Sequence, residues 1–576
     1  MRRPFTFLAR LVPIFVLLGY TSELRADLQI DGVEGKLRDN IRLHLGLARE
    51  SCDAPTWRVR QRFQQVEDQV AKALEGFGYY TPTVEKSLSF DDDCWNATVK
   101  VAPGFPVKIG QSDFEVVGEA KNNSEFLAIP TDAIKVGAFL DHQAYEQVKN
   151  QLTSLSSELG FFDFEFQRSR IDVWPEDGTA AIDIRFDSGD RYRFGSLSIQ
   201  QDFLEPSLIR DYLPALEGEH YDSGKLSQIH QVLTASGYFA GIQVRPDIES
   251  RENGRVPIDL LLSPSQRVSY TVGGGFSTDT GPRFRGGYEN RRLNTRGHQL
   301  NGELSVSEVI SELTATYRRP LGRPDVEWLS YSAGVQVEDT DTSESDKFSL
   351  GLRRATLLGG DWVRSDSVSL QFDSFTVGSD RDNSRLVMPA LGYSHKRSDL
   401  PVNPRWGHNF RVEVRGASDF LGSTTSFVQA LASIKLVRPL GDKGRVLIRG
   451  EVGTTFQDDL NDLPPSVRFF AGGIDTVRGY GFETLGPVND NDEVVGGSNL
   501  LAASVEYERR FLSNLAYAVF VDAGNAFDDV DLEARVGVGA GIKWFSPIGP
   551  FRFYIAHPTN FSDRSVRLHI SLGPDL

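Results

Sequence analysis

Two periodicities divide this chain near residue 267. Before that point apolar positions recur first at helical spacing and then in alternation, three times over. A glycine followed by two aromatics marks each round: Gly78-Tyr79-Tyr80, Gly160-Phe161-Phe162 and Gly237-Tyr238-Phe239, at separations of 82 and 77 residues. Ahead of the second and third marks, Gly137, Asp141, Tyr145, Val148 and Leu152 return 81 residues later as Gly218, Asp222, Leu226, Ile229 and Leu233. Asp141 and Asp222 read as N-caps, the apolar residues after them as one helix face, and the marking glycine as the helix stop. Each round closes on an alternating strand: Ala97–Val101, Ala181–Phe186 and Pro257–Leu262.

Helices followed by a strand pair, repeated, predict three small α+β modules over 27–103, 104–187 and 188–266. Their sheet edges could accept strands from other chains, or the modules could be stiff spacers. The paired aromatics read as core packed beneath the helix stop.

From 267 to 576 alternation takes over, as in Gln299–Val306, Leu313–Tyr317, Ser367–Phe372, Phe427–Ile434, Arg445–Val452 and Val566–Leu572. Along Arg445–Val452 the charged residues Arg445, Arg449 and Glu451 share one parity and the other parity is apolar, the pattern of a wall between lumen and lipid. The 310 residues, at about 19 per strand and turn, predict a transmembrane antiparallel β-barrel of about 16 strands.

Composition narrows the function. The 576 residues carry a net charge of −17, so counterion release from nucleic acid offers no driving force and no nucleic-acid partner is expected. Arg2, Arg3 and Arg10 precede or flank the apolar run Leu11–Tyr20, and Ala26 follows at a cleavage position, so residues 1–26 read as a signal peptide. The rest holds no run of about 18 apolar residues, so the exported chain would cross a membrane only as a closed sheet. In an oxidising compartment Cys52 and Cys94 read as one disulfide, the alternative being two buried thiols. No histidine stands at ligand spacing from either, so no metal is expected, nor any cofactor.

Between two barrel strands lies Phe469-Phe470-Ala471-Gly472-Gly473, followed by Val477-Arg478-Gly479-Tyr480. With three modules upstream, this resembles the Omp85 superfamily, and within it the TamA branch, over essentially the whole mature chain. The resemblance implies that the modules are POTRA domains and that the loop ending in Val477, Arg478, Gly479 and Tyr480 folds back into the barrel. Phe520, Asp522 and Gly524 stand where the family has its Phe-x-Asp-x-Gly strand. Strand parity turns Phe520, Asp522 and Glu506 inward, and an arginine in a confined lumen needs acidic partners, so Arg478 is expected to bridge to Asp522 and to Glu506.

The family's action implies a weak junction between first and last strands. Gly273, Gly274 and Gly275 supply no side-chain packing to the first, and Gly573 and Pro574 end the last, proline lacking a ladder donor. The glycines either weaken this seam or relieve crowding under the lumen loop. The resemblance further implies an outer-membrane assembly factor with its modules in the periplasm, in contact with outer-membrane lipid. Its clients would be unfolded barrel proteins such as autotransporters, and a TamB-like inner-membrane-anchored protein would dock at the first module. A two-partner secretion pore is the alternative. No serine-hydrolase elbow, zinc-protease motif or phosphate loop is present, and Gly537-Val538-Gly539-Ala540-Gly541 sits in an alternating strand with no helix after it, so no enzyme activity is expected.

Overall fold

The structure, a computed structural model, describes residues 26–91, 94–400, 403–528, 532–546, 549–559 and 566–572. The leader up to residue 25 and Gly573 and Pro574 lie outside the described residues. Contacts gather the chain into two compact units: Met1–Ser196 with Leu216–Lys225 and Asp247–Pro257, and the remainder.

Three three-stranded sheets precede the barrel. In each, the third strand in sequence lies between the first and the second. The order is seen in Asp27–Asp31, Thr83–Asp91 and Cys94–Ala102, and again in Lys108–Val117, Glu165–Trp174 and Thr179–Asp187. The first strand of these two sheets runs parallel to the central one, which requires a helical crossover. The crossover helices bury their apolar faces on the sheet: Val66, Val70 and Leu74 in the first module, Tyr145, Val148 and Leu152 in the second. Cys52 and Cys94 are disulfide-bonded, tying the helical side of the first module to its central strand.

Helix His142–Leu159 is capped as its sequence dictates. Asp141 Oδ1 accepts the Gln143 amide at 2.8 Å, and Gly160 ends the helix at φ 86°. The two aromatics that follow go separate ways, a correction to reading both as core beneath the stop. Phe161 is buried in its own module, whereas Phe162 packs on Tyr192 and Tyr221, which begin the next. Tyr79 and Tyr80 divide likewise between first and second cores, and Tyr80 hydrogen-bonds His142 at 2.7 Å. The glycines permit the approach, since a Cβ on Gly78 would come within 2.3 Å of the Leu140 carbonyl, and one on Gly160 within 2.6 Å of Tyr221. Leu140 and Tyr221 stand at the 81-residue offset, so the repeat encodes a joint as well as a module.

At the second joint Asp163 accepts from Arg251 at 2.6 Å and from the Tyr192 hydroxyl at 2.8 Å. These bonds, the Arg251 one foremost, hold its carboxyl below the usual carboxylate range. A depressed folded-state value gives stability that is present above the unfolded value of about 4 and is lost as pH falls below it. In amide exchange over residues 160–165, Asp163→Asn should therefore open the joint at pH 7, with the gap to wild type steady down to about pH 5 and closing below about pH 4. A gap unchanged at pH 3 would remove Asp163 from the joint.

The second unit is dominated by a closed barrel of sixteen antiparallel strands, from Val268–Ser277 to Arg567–Leu572. Among the described residues no helix is long and apolar enough to cross a membrane; the barrel crosses with strands. In Leu515–Phe527 the alternation is clear as far as Asp522: Tyr517, Val519 and Val521 face outward, while Ala518, Phe520 and Asp522 are buried within. The third mark serves the barrel, Tyr238 donating its hydroxyl to the Gly297 carbonyl in the turn before strand Gln299–Val306.

The wall is uneven. Among the described residues strand Asp380–Ser398 has 19 residues, whereas the first has 10 and the last 6. First and last meet, among the described residues, at a single opposed pair, Ser277 with Ser571, supported by a 3.1 Å bond from the Thr278 amide to the Ile570 carbonyl.

Candidate functional site: the lumen loop and the seam

The chain between strands Gly444–Gln457 and Asn499–Arg510 enters the barrel and is held at two stretches of the wall. At one, Ser466 accepts from Gln371 at 2.7 Å, and the Val467 carbonyl accepts from Gln429 at 2.7 Å. At the other stands Arg478, 2 % exposed. Val477 before it and Tyr480 after it pack with Phe469, Leu485 and Leu500, so apolar burial sets the depth of the loop and the guanidinium sets its azimuth.

Arg478 grips Asp522 with both faces of its fork, Nε at 2.7 Å and Nη2 at 2.8 Å, and its own amide adds a third bond at 3.0 Å. Nη1 donates to Glu506 at 2.6 Å and Nη2 to Ser504 at 3.2 Å. The guanidinium lies over the Phe520 ring, 3.4 Å from its centroid. Bidentate, charge-assisted and stacked, this arrangement uses properties that lysine lacks.

The register explains the convergence. Glu506 stands opposite Phe520 and Ser504 opposite Asp522, so one inward patch carries all four. Gly524 follows on the same face, where a Cβ would approach the Leu501 carbonyl to 2.4 Å. The Gly537–Gly541 run belongs here as well. A Cβ on Gly537 would sit 1.8 Å from the Arg478 carbonyl, and one on Gly539 2.4 Å from the Phe520 ring. Gly537 thus lies directly beneath the loop, and Gly539 makes room for the ring on which the guanidinium stacks.

Sequence reasoning missed half of the charge network. Lys543 reaches Glu506 and Glu508, each at 2.6 Å, Glu508 also takes Arg445, and Tyr554 donates to Glu506 at 2.9 Å. Arg478, Lys543 and Arg445 thus balance Asp522, Glu506 and Glu508, which is how six charges tolerate burial. The available signal was parity, since Lys543 stands between outward-facing Ile542 and Trp544.

At the seam, Gly273, Gly274 and Gly275 have ordinary backbone angles and free surroundings. The nearest atom to an added Cβ is 4.0 Å away at Gly273 and 3.9 Å at Gly274, with nothing inside 4 Å at Gly275. Crowding therefore does not require glycine here, and that alternative is set aside. Behind them lies a cavity of about 560 Å³ lined by Arg283, Arg285, Lys435, Arg449 and Arg552 as well as Arg478.

The chain has relatives among known proteins. A family model described as the Omp85 superfamily domain matches residues 292–575, and another, POTRA domain TamA domain 1, matches residues 27–103. The outer membrane protein assembly factor BamA of Neisseria meningitidis is 20% identical over 597 residues, covering 90% of this chain and 74% of that protein. BamA of Nitratidesulfovibrio vulgaris is 20% identical over 380 residues, covering 62% of this chain and 48% of the other, so the chain spans about half the length of that relative. The crystal structure of BamA from Haemophilus ducreyi lacking POTRA domains 1–3 shares the fold with a TM-score of 0.69 at 16% identity, covering 81% of this chain and 99% of that one.

Proposed function

Because the chain belongs to the Omp85 superfamily, we propose that it is an assembly factor that inserts client β-barrel proteins, autotransporters among them, through the seam between its first and last strands. The barrel lies in the outer membrane and its POTRA modules in the periplasm. No covalent step is involved; the work is an exchange of hydrogen bonds.

One observation carries this reading. Among the described residues the first and last strands of a sixteen-strand wall are joined by one opposed pair and one flanking backbone bond, beside three glycines that nothing crowds. In lipid an unpaired strand edge costs several kcal/mol per orphaned group, so a first-strand edge released from the seam is a template for a strand that arrives with matching donors and acceptors. Each bond given up by the seam is replaced by one to the client, and the lipid never meets bare backbone. The open edges of the three module sheets can guide unfolded clients by the same pairing. The match of the first module to a TamA domain supports docking of a TamB-like inner-membrane-anchored partner there.

Depletion gives the test. Barrel proteins of the autotransporter kind should fall in the outer-membrane proteome while their precursors collect in the periplasm. An unchanged outer membrane together with the loss of a single secreted protein would transfer the chain to the secretion-pore reading, in which cargo crosses the lumen.

A further inference from the structure

The lumen loop touches both sides of the seam. On the first-strand side, Asp279 lies in the turn after Val268–Ser277, and its Oδ2 accepts the Ile474 amide at 2.7 Å. Gly473 makes that approach possible, because a Cβ there would stand 2.7 Å from the same oxygen. On the last-strand side, His569 is 1 % exposed, and its Nε2 accepts the Gly479 amide at 2.9 Å. A ring nitrogen that accepts leaves the proton of a neutral imidazole on the other, and that other nitrogen, Nδ1, stands 3.7 Å from Asp279 Oδ1. The two anchors thus face each other across the junction that, among the described residues, the backbone closes at Ser277 with Ser571 and Thr278 with Ile570.

We propose that Asp279 and His569 are positioning residues of a clasp, through which the segment Ile474–Gly479 holds the seam shut. The inference deepens the lateral-opening reading and rests on it for its purpose, though not for its geometry. Arg478, adjacent to Gly479, fixes the segment to the wall formed by strands Asn499–Arg510 and Leu515–Phe527. The clasp then transmits that fixation to the two strand ends that must part. A client that displaces the loop from Asp279 or His569 leaves the strand pairing at the junction without its clasp.

The test needs no client. Full-length protein in planar bilayers is recorded for transient conductance openings, with native-like migration on unheated gels as the check of folding. Asp279→Ala and His569→Leu should each raise the opening frequency roughly tenfold, the effect of losing one buried hydrogen bond to a charged or ring acceptor. His569→Gln, whose amide oxygen can accept from Gly479, should stay near wild type. A Ser277→Cys/Ser571→Cys bridge in the Asp279→Ala background should silence the added openings. Wild-type frequencies in both folded variants, or added openings that persist under the bridge, would overturn the clasp. If the clasp variants open and the bridge silences them, yet bridged protein still assembles clients, the clasp stands and the insertase reading falls.

Discussion

Arg478→Ala should abolish client assembly while leaving a barrel that still folds into the membrane. Among the described residues the Asp522 carboxylate is held by Arg478, through two bonds from the side chain and one from the backbone amide, and Asp522 is fully buried. Removing one partner of such a pair leaves an uncompensated charge and costs about 3–5 kcal/mol, directed at the attachment of the loop because the strands keep their ladders. Glu506 suffers less, retaining Lys543 and Tyr554. Two comparisons make the expectation specific. Arg478→Lys should recover little, a point charge being unable to grip Asp522 bidentately and cover Phe520. Arg478→Ala combined with Asp522→Ala should be less damaging than Arg478→Ala alone, since no buried carboxylate is orphaned. Proteolysis of residues 458–498 reports loop release, and autotransporter surface display reports function. Normal display in a variant whose loop is cleaved would deny the loop any part in assembly.

A covalently closed seam should stop assembly altogether. Ser277 and Ser571 are opposed, and the adjacent pair, Thr278 with Ile570, carries the ladder hydrogen bond. Ser277–Ser571 is therefore a non-hydrogen-bonded site, where Cα atoms approach to about 4.5 Å, within disulfide range. Ser277→Cys/Ser571→Cys should oxidise readily, block insertion, and regain activity under a reductant. Because the reductant also reaches Cys52–Cys94, the comparison is with wild-type protein under the same reductant. Full activity with the bridge formed would eliminate lateral opening.

The parts of this site that one strand can specify were legible in the sequence; those that depend on register between distant strands were not. Alternation in Leu515–Phe527 puts Phe520 and Asp522 on one face without any knowledge of the neighbours, and the same holds for Glu506 in its own strand. That Lys543 meets Glu508 depends on both standing opposite the same short stretch of strand Leu515–Phe527, Lys543 with Ala516 and Glu508 with Ala518. No local pattern fixes that height. Gly537–Gly541 showed only what it was not, because the atom that excludes a side chain at Gly537 belongs to a loop some sixty residues earlier. The aromatic marks were misjudged for a related reason. The 81-residue repeat reveals that Leu140 and Tyr221 are equivalent, but only the fold reveals that each receives the glycine of the preceding module.

The Cys52–Cys94 bridge gives this protein a dependence of its own. Closing a segment of 42 residues withdraws roughly 4 kcal/mol of entropy from the unfolded first module, a large share of what a domain of that size has to spare. A factor proposed to build other outer-membrane proteins thus itself gains from a supply of thiol oxidants, and failing oxidation would loosen its first module, the proposed docking end, before its barrel is harmed.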